Sequence, residues 1–265
     1  MPTPPIHRID AVRAVPAARL LRWLGLGWAD LMRCPLPGLL HGLVAALFGG
    51  LLLVVARDRF WLLAGTFTGF LLVAPLVATG LYAVSRALER GERPGLGTAL
   101  AAWRPRDSRL VCFGLLLALA GTGWVLTSAA LITGFATEPV RSPADFLRVV
   151  VLADDQRHLF EIWVVLGSIL AAPIFVSSVV AIPLLLDRDN SVLAAVGTSV
   201  AAALASPAAM ACWATLIVAL TLVGMSSFML GLVVLLPWLA HSSWHAYRDL
   251  VAPVADSLPS ARQAG

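Results

Sequence analysis

The chain has 265 residues, of which 59% are hydrophobic and 13% charged, with a formal net charge of +4 and a mean hydropathy of +0.87. Soluble domains carry about 25% charged residues, so this composition excludes an ordinary water-soluble enzyme and makes lipid the surrounding solvent; no nucleic-acid partner is expected. Six apolar stretches with short connections use nearly the whole length, leaving one membrane domain over residues 17–251 between polar tails at 1–16 and 252–265.

Residues 1–16, rich in proline and arginine, predict a disordered tail. From Ala17 to Cys34 the spacing predicts an amphipathic helix. At 100° per residue Arg19, Arg22, Asp30 and Arg33 fall within a sector of about 80°, opposite Leu20, Leu21, Leu24, Trp28 and Leu31. Such a helix lies in the headgroup region or packs against the bundle, and both placements stay open. Cys34-Pro-Leu-Pro37 ends it.

A bilayer core about 30 Å thick needs roughly 20 apolar residues as helix. The expected spans are Leu39–Ala56, Phe60–Ser85, Leu110–Phe135, Leu159–Leu186, Pro207–Val223 and Ser227–Tyr247. Arg57-Asp58-Arg59 turns the chain between the first two. The polar segment from Arg86 to Arg109 holds a short helix with Leu96, Leu100 and Trp103 on one side. In the loop from Ala136 to His158, Ser142-Pro143 is a helix start, with Phe146, Leu147, Val150 and Val151 as its apolar side. Pro173 and Pro183 fall inside the fourth span, Asp187-Arg188-Asp189-Asn190 stops it, and Ser191–Ala205 is an alanine-rich helix. The fold class is therefore all-α: a polytopic helix bundle of three consecutive hairpins plus an N-terminal interfacial helix.

All 19 basic residues are arginine, as a GC-rich coding sequence produces. With the N-terminus inside, 14 of them fall on the inner side and five (Arg57, Arg59, Arg141, Arg148 and Arg157) outside. The positive-inside rule then places both termini in the cytoplasm.

Pro75 to Arg86 can be laid on Pro237 to Arg248, with proline, alanine, a small residue, an aromatic (Tyr82, Trp244) and arginine in register. Tyr82, Trp244 and Arg248 are expected at the lipid interface, as are Arg19, Arg22, Trp28 and Arg33 on the N-terminal helix, whose basic face suits anionic lipid. Gly42, Ala46 and Gly50 on the first span and Gly65 and Gly69 on the second are spaced by four, which lets helix backbones approach. The first two spans are expected to pack as an antiparallel pair.

Three candidate ligands stand at one depth. His241 and His245 share a helix face near the end of the last span, and His41 lies near the start of the first. Imidazoles one turn apart can ligate a metal or a haem iron; the alternative is interfacial histidines bonded to backbone or to each other, with Asp249 a partner of Arg248. Glu161 lies near the outer boundary, and no charged residue occupies the middle of a span. No phosphate loop, HExxH or CxxC occurs, and the three cysteines (Cys34, Cys112, Cys212) lie far apart. A cofactor is therefore not required.

The run PWLAHSSWHAYRDLV from Pro237 to Val251, with Gly27-Trp28-Ala29-Asp30-Leu31 and the stretch from Gly69 to Leu76, resembles a bacterial integral membrane family catalogued as domain of unknown function 2189. The likeness runs from about Arg19 to Val251. It implies a six-span inner-membrane protein. Some members carry the label of a cytochrome c oxidase subunit, yet the five histidines of this chain do not make the ligand set of a catalytic oxidase subunit.

Three functions are compatible with these residues. The first is a non-enzymatic accessory, assembly or scaffolding component beside another inner-membrane complex, or a homo-oligomer. The second is a channel or carrier for a small solute, with Pro75, Pro173, Pro183 and Pro237 bending the helices along its path. The third is a haem or metal protein using His41, His241 and His245.

Overall fold

The computed structural model describes residues 9–55, 78–102, 108–152 and 158–253. The expected turn at Arg57-Asp58-Arg59, most of the second span with Gly65, Gly69 and Pro75, and Trp103 lie outside the described residues. Eleven α-helices run through what is described: α1 Arg19–Arg33, α2 Pro35–Val55, α3 Thr79–Glu89, α4 Leu96–Ala101, α5 Ser108–Phe135, α6 Pro143–Phe146, α7 Leu159–Ser178, α8 Ala181–Asp187, α9 Val192–Ala205, α10 Pro207–Ser226 and α11 Leu232–Leu250. The described residues hold no strand, so the all-α expectation is met.

Among the described residues, four helical segments are long and apolar enough to cross a bilayer: Pro35–Val54, Arg109–Phe135, Leu159–Asp187 and Pro207–Ser226. At 1.5 Å per residue, even the shortest reaches about 30 Å, the thickness of the hydrocarbon core. Their outer faces carry exposed leucine, isoleucine and valine, such as Leu115 and Leu119 on α5, Ile169 on α7 and Leu222 on α10. In water such surface is costly; in lipid it is not.

Local chemistry explains the boundaries. α1 ends at Cys34, as expected, and Pro35 at once opens α2, because at the first helical position it lacks only an N–H that would go unused there. Ser142 caps α6 by accepting from the Asp145 N–H at 3.1 Å, while Asp145 accepts from the Ser142 N–H at 3.0 Å. This is a reciprocal capping box. A π-helical turn, Leu147–Val151, continues α6 and buries Val149 and Val150, whereas Leu147 stays exposed. On α4 the buried residue is Ala99; Leu100, expected on the packed side, is exposed.

The expected fourth span is two helices. Pro183 would clash with the carbonyl four residues back, at Val179, and the helix breaks at Val179 and Val180. Ser199 of α9 fills the gap. Its hydroxyl donates to the Val176 carbonyl at 2.6 Å and accepts from the Val180 N–H at 3.1 Å. A side chain from a neighbouring helix thus stands in the backbone ladder where one direct bond would have been.

α11 is the central element. Its start is set by Phe228 and Met229, both at positive φ (54° and 70°), so the last helix begins at Leu232 rather than Ser227. It is gripped on two sides at glycines. A Cβ on Gly27 of α1 would lie 2.2 Å from Ser242 Oγ and 2.6 Å from Ser242 N, and one on Gly42 of α2 would lie 2.6 Å from the Val233 Cα. The small-residue face of α2 is therefore used against α11; most of the second span, its expected partner, lies outside the described residues. Ala46 shares that buried face, and Gly50 meets no described atom within 4 Å.

The main core joins α3, α8, α9, α10 and α11 to one edge of α1, with Trp23, Trp213, Trp244 and Tyr247 its largest fully buried side chains. Residues 9–16 are not the expected disordered tail. Val12 bridges Val251 antiparallel, the Arg13 N–H donates to the Leu250 carbonyl at 2.8 Å, and the Ala252 N–H donates to the Ala11 carbonyl at 2.9 Å. The Asp10 and Val15 N–H groups donate to Thr198 and Ser206 hydroxyls. This strap ties the N-terminal segment to α9 and to the end of α11.

Candidate functional site

The ends of α3, α8 and α11 and the starts of α2 and α5 meet α1 and the strap in one polar region. Its first part is a network of imidazole, hydroxyl and carboxylate. His245 on α11 and Asp30 on α1 are 2.8 Å apart, Nε2 to Oδ2, and both are buried or nearly so. A carboxylate only accepts, so the His245 Nε2–H donates. Ser85 Oγ on α3 and His241 Nδ1 share a hydrogen bond of 2.7 Å. His241 Nε2 is fully buried and has no hydrogen-bond partner among the described residues. Burial would push the Asp30 carboxyl upward, but the bond from His245, the neighbouring Ser85 hydroxyl and the nearby imidazoles outweigh it and hold Asp30 below its ordinary value.

The three candidate ligands His41, His241 and His245 do gather at this end, as their spacing suggested. Their ring nitrogens are directed elsewhere than to one point: His41 Nδ1 to the Pro37 carbonyl at 2.7 Å, His241 Nδ1 to Ser85, His245 Nε2 to Asp30. The space beside His241 Nε2 is closed by Gly38, where an added Cβ would lie 3.7 Å from that nitrogen and 2.7 Å from Leu31. Among the described residues no group of three or more histidine, cysteine or carboxylate side chains could hold a metal ion. The hydrogen bonds of this network join α1, α3 and α11.

The second part is a set of ion pairs. Arg19 clamps Asp249 with two bonds of 2.7 and 2.6 Å, and Trp23 Nε1 adds a third at 3.0 Å. The hydrogen bonds and charge of Arg19 hold the Asp249 carboxyl below its usual range. Asp249 is thus the partner of Arg19, not of Arg248 as expected. Arg248 pairs with Glu89 at 3.0 Å and with Asp187 at 3.6 Å, and Tyr247 donates to Asp187 at 2.7 Å. Arg188 bonds Asp10 at 2.6 Å and the Ala252 carbonyl at 2.7 Å.

Of the expected interface residues, Arg22 and Arg33 are exposed, and Trp28, 43% exposed, stacks edge-on against Trp238. Tyr82 and Trp244 are not interface anchors: they are 4% and 0% exposed, and Trp244 Nε1 donates to Glu89 at 3.2 Å. The face of α1 that docks is Trp23, Gly27, Asp30 and Leu31. It straddles the border between the polar and apolar sectors read from the helix alone. Asp10, Ser85 and Ser199 escaped notice because single polar residues in a strap or an apolar helix carry no spacing signal.

The third part is a cavity of about 420 Å³ between α3, α4, α5 and α8. Arg86, Arg90, Arg109 and Arg188 line it, with Glu92, Asp187 and Asp189 on its rim and walls. Arg86 donates to the Leu186 carbonyl at 2.5 Å and Arg109 to the Asn190 carbonyl at 2.7 Å, both at the C-terminal side of α8, where cations suit the exposed carbonyls.

These features define a helical integral membrane protein whose polar side chains knit one end of the bundle. Residues 62–187 match the family model described as "Predicted integral membrane protein (DUF2189)". The resemblance read from the sequence is thereby found in that segment, while the stretches at Gly27–Leu31 and Pro237–Val251 lie outside it. No curated protein and no solved structure matches the chain.

Proposed function

We propose that this protein is a non-enzymatic accessory, assembly or scaffolding component of a membrane complex in the bacterial inner membrane. Its helices would cross six times as three hairpins, with both termini cytoplasmic. One observation carries the reading: the carboxylates at the polar end of the bundle join its own elements. Asp10, Asp30, Asp187 and Asp249 each hold a side chain from another element, which is what a rigid platform needs. The exposed side of α1, with Leu21, Arg22, Trp28 and Arg33, suits the headgroup layer, where arginine meets lipid phosphate and the apolar side chains enter the acyl boundary. The broad apolar faces of α5 and α10 remain for lipid or a neighbouring helix.

Cross-linking in native membranes followed by purification in mild detergent tests the proposal. A stoichiometric membrane partner supports it. Isolation as a lone species, with no cross-linked neighbour, overturns it.

A further inference from the structure

We propose that the arginine-lined cavity between α3, α4, α5 and α8 is a binding site for a phosphate-bearing anion, either the headgroup of an anionic phospholipid or free phosphate. The inference rests on charge, donors, size and place. Among the described residues the Arg86 guanidinium meets a carbonyl and no carboxylate, and a single such bond uses one of its five N–H groups. The Arg90 side chain is exposed and makes no hydrogen bond or ion pair among the described residues. Arg188 is only 10% exposed; its Nη groups bond Asp10 and Ala252, but its Nε–H is buried without an acceptor among the described residues. Two cations and one buried donor therefore border the same space.

The carboxylates around that space do not cancel this. Asp187 accepts from Tyr247 and pairs with Arg248, neither of which lines the cavity. Asp189 is 95% exposed and sits 3.4 Å from Arg109. Glu92 is exposed at the rim. A volume of about 420 Å³ is within the range of sites that hold small organic ligands and is ample for a phosphate with its glycerol. The cavity also stands at the ends of the apolar segments Arg109–Phe135 and Leu159–Asp187, the depth at which headgroups lie. Basic pockets between membrane helices hold lipid phosphates for this reason.

The test uses the full chain in nanodiscs, either of phosphatidylcholine alone or with added phosphatidylglycerol. Lipid retention is read by native mass spectrometry, and inorganic phosphate is titrated into the phosphatidylcholine discs against tryptophan fluorescence. Loss of one charged hydrogen bond should weaken binding about tenfold or more. The deciding variant is Arg90→Glu, which breaks no bond of the fold; Arg22→Glu on α1 controls for general surface charge. Retained phosphatidylglycerol that Arg90→Glu releases and Arg22→Glu keeps identifies a lipid site. Phosphate binding in phosphatidylcholine discs with the same variant pattern identifies a free-anion site. The proposal is overturned if the wild-type chain binds neither probe, if folded Arg90→Glu binds as the wild type does, or if both variants lose binding equally.

Discussion

Gly27→Ala should separate α1 from α11, while Gly25→Ala, one half-turn away on the same helix, should not. Both replacements gain the same intrinsic helix preference, about 0.5–1 kcal/mol, so their difference isolates the packing effect. At Gly25 an added Cβ meets nothing within 4 Å, whereas at Gly27 it would lie 2.2 Å from Ser242 Oγ, 2.6 Å from Ser242 N and 2.8 Å from Ser242 Cα. Two of those atoms are backbone and cannot rotate away. Unbonded carbon contacts settle near 3.5–4.0 Å, so the helices must part by about 1 Å. Overpacking of this kind costs about 1–3 kcal/mol. The same movement stretches the His245–Asp30 bond from 2.8 Å to beyond the useful range of about 3.2 Å. Thermal unfolding in detergent, followed by near-ultraviolet circular dichroism of the Trp23 and Trp28 environments, reads the outcome. Gly25→Ala should match or exceed the wild type, with Gly27→Ala lower by about 1–3 kcal/mol. Equal stability of the two variants would refute the close crossing of α1 and α11.

Asp30→Ala removes the acceptor that holds His245 and should cost about 3 kcal/mol, as breaking a buried pair does; denaturant titration in detergent checks it. Acid should act through the same group. Asp30 and Asp249 are both held below the ordinary carboxylate value of 3.8, so their contribution is complete above that value and is lost as pH falls through it toward their lower folded values. Unfolding midpoints measured from pH 6 downward should drop below about pH 4, and less steeply in Asp30→Asn. Ser199→Ala strips the hydroxyl that joins Val176 to Val180 and leaves two backbone groups unsatisfied, a loss of about 1–3 kcal/mol, visible as faster amide exchange around Val180. Arg188→Gln should release the N-terminal strap, and trypsin should then cut after Arg13 at least about tenfold faster, since a charged hydrogen bond is worth about 1.5–3 kcal/mol.

Spans and loop helices were legible wherever one residue type sufficed. Runs of leucine, valine and alanine announced α2, α5, α7 and α10, and Ser142-Pro143 announced α6, because burial in lipid and capping are local requirements. What a single helix cannot report is its neighbour. Asp30 reads as a solvent-facing acid until α11 brings His245 beside it. Arg248 and Asp249 read as a pair because they are adjacent, yet successive helical residues point about 100° apart, and each meets a different element. Tyr82 and Trp244 have the composition of interface anchors, but the bundle is wide enough at that end to enclose them. Asp10 lies in a segment whose polarity suggested disorder, and only the distant Arg188 and Asn190 give it a fixed place. The gathering of His41, His241 and His245 was visible in their shared depth, while the direction of their nitrogens depends on Pro37, Ser85 and Asp30.

In the proposed topology the arginine-rich end of the membrane-spanning bundle faces the cytoplasm. Single cysteines placed at Arg90 and at Ser142, in a chain whose Cys34, Cys112 and Cys212 have been replaced, test it through labelling of intact cells with a membrane-impermeant maleimide. Ser142→Cys should label from outside, and Arg90→Cys only after the membrane is opened. Labelling of both positions from the same side, or of Arg90→Cys alone in intact cells, would contradict the account.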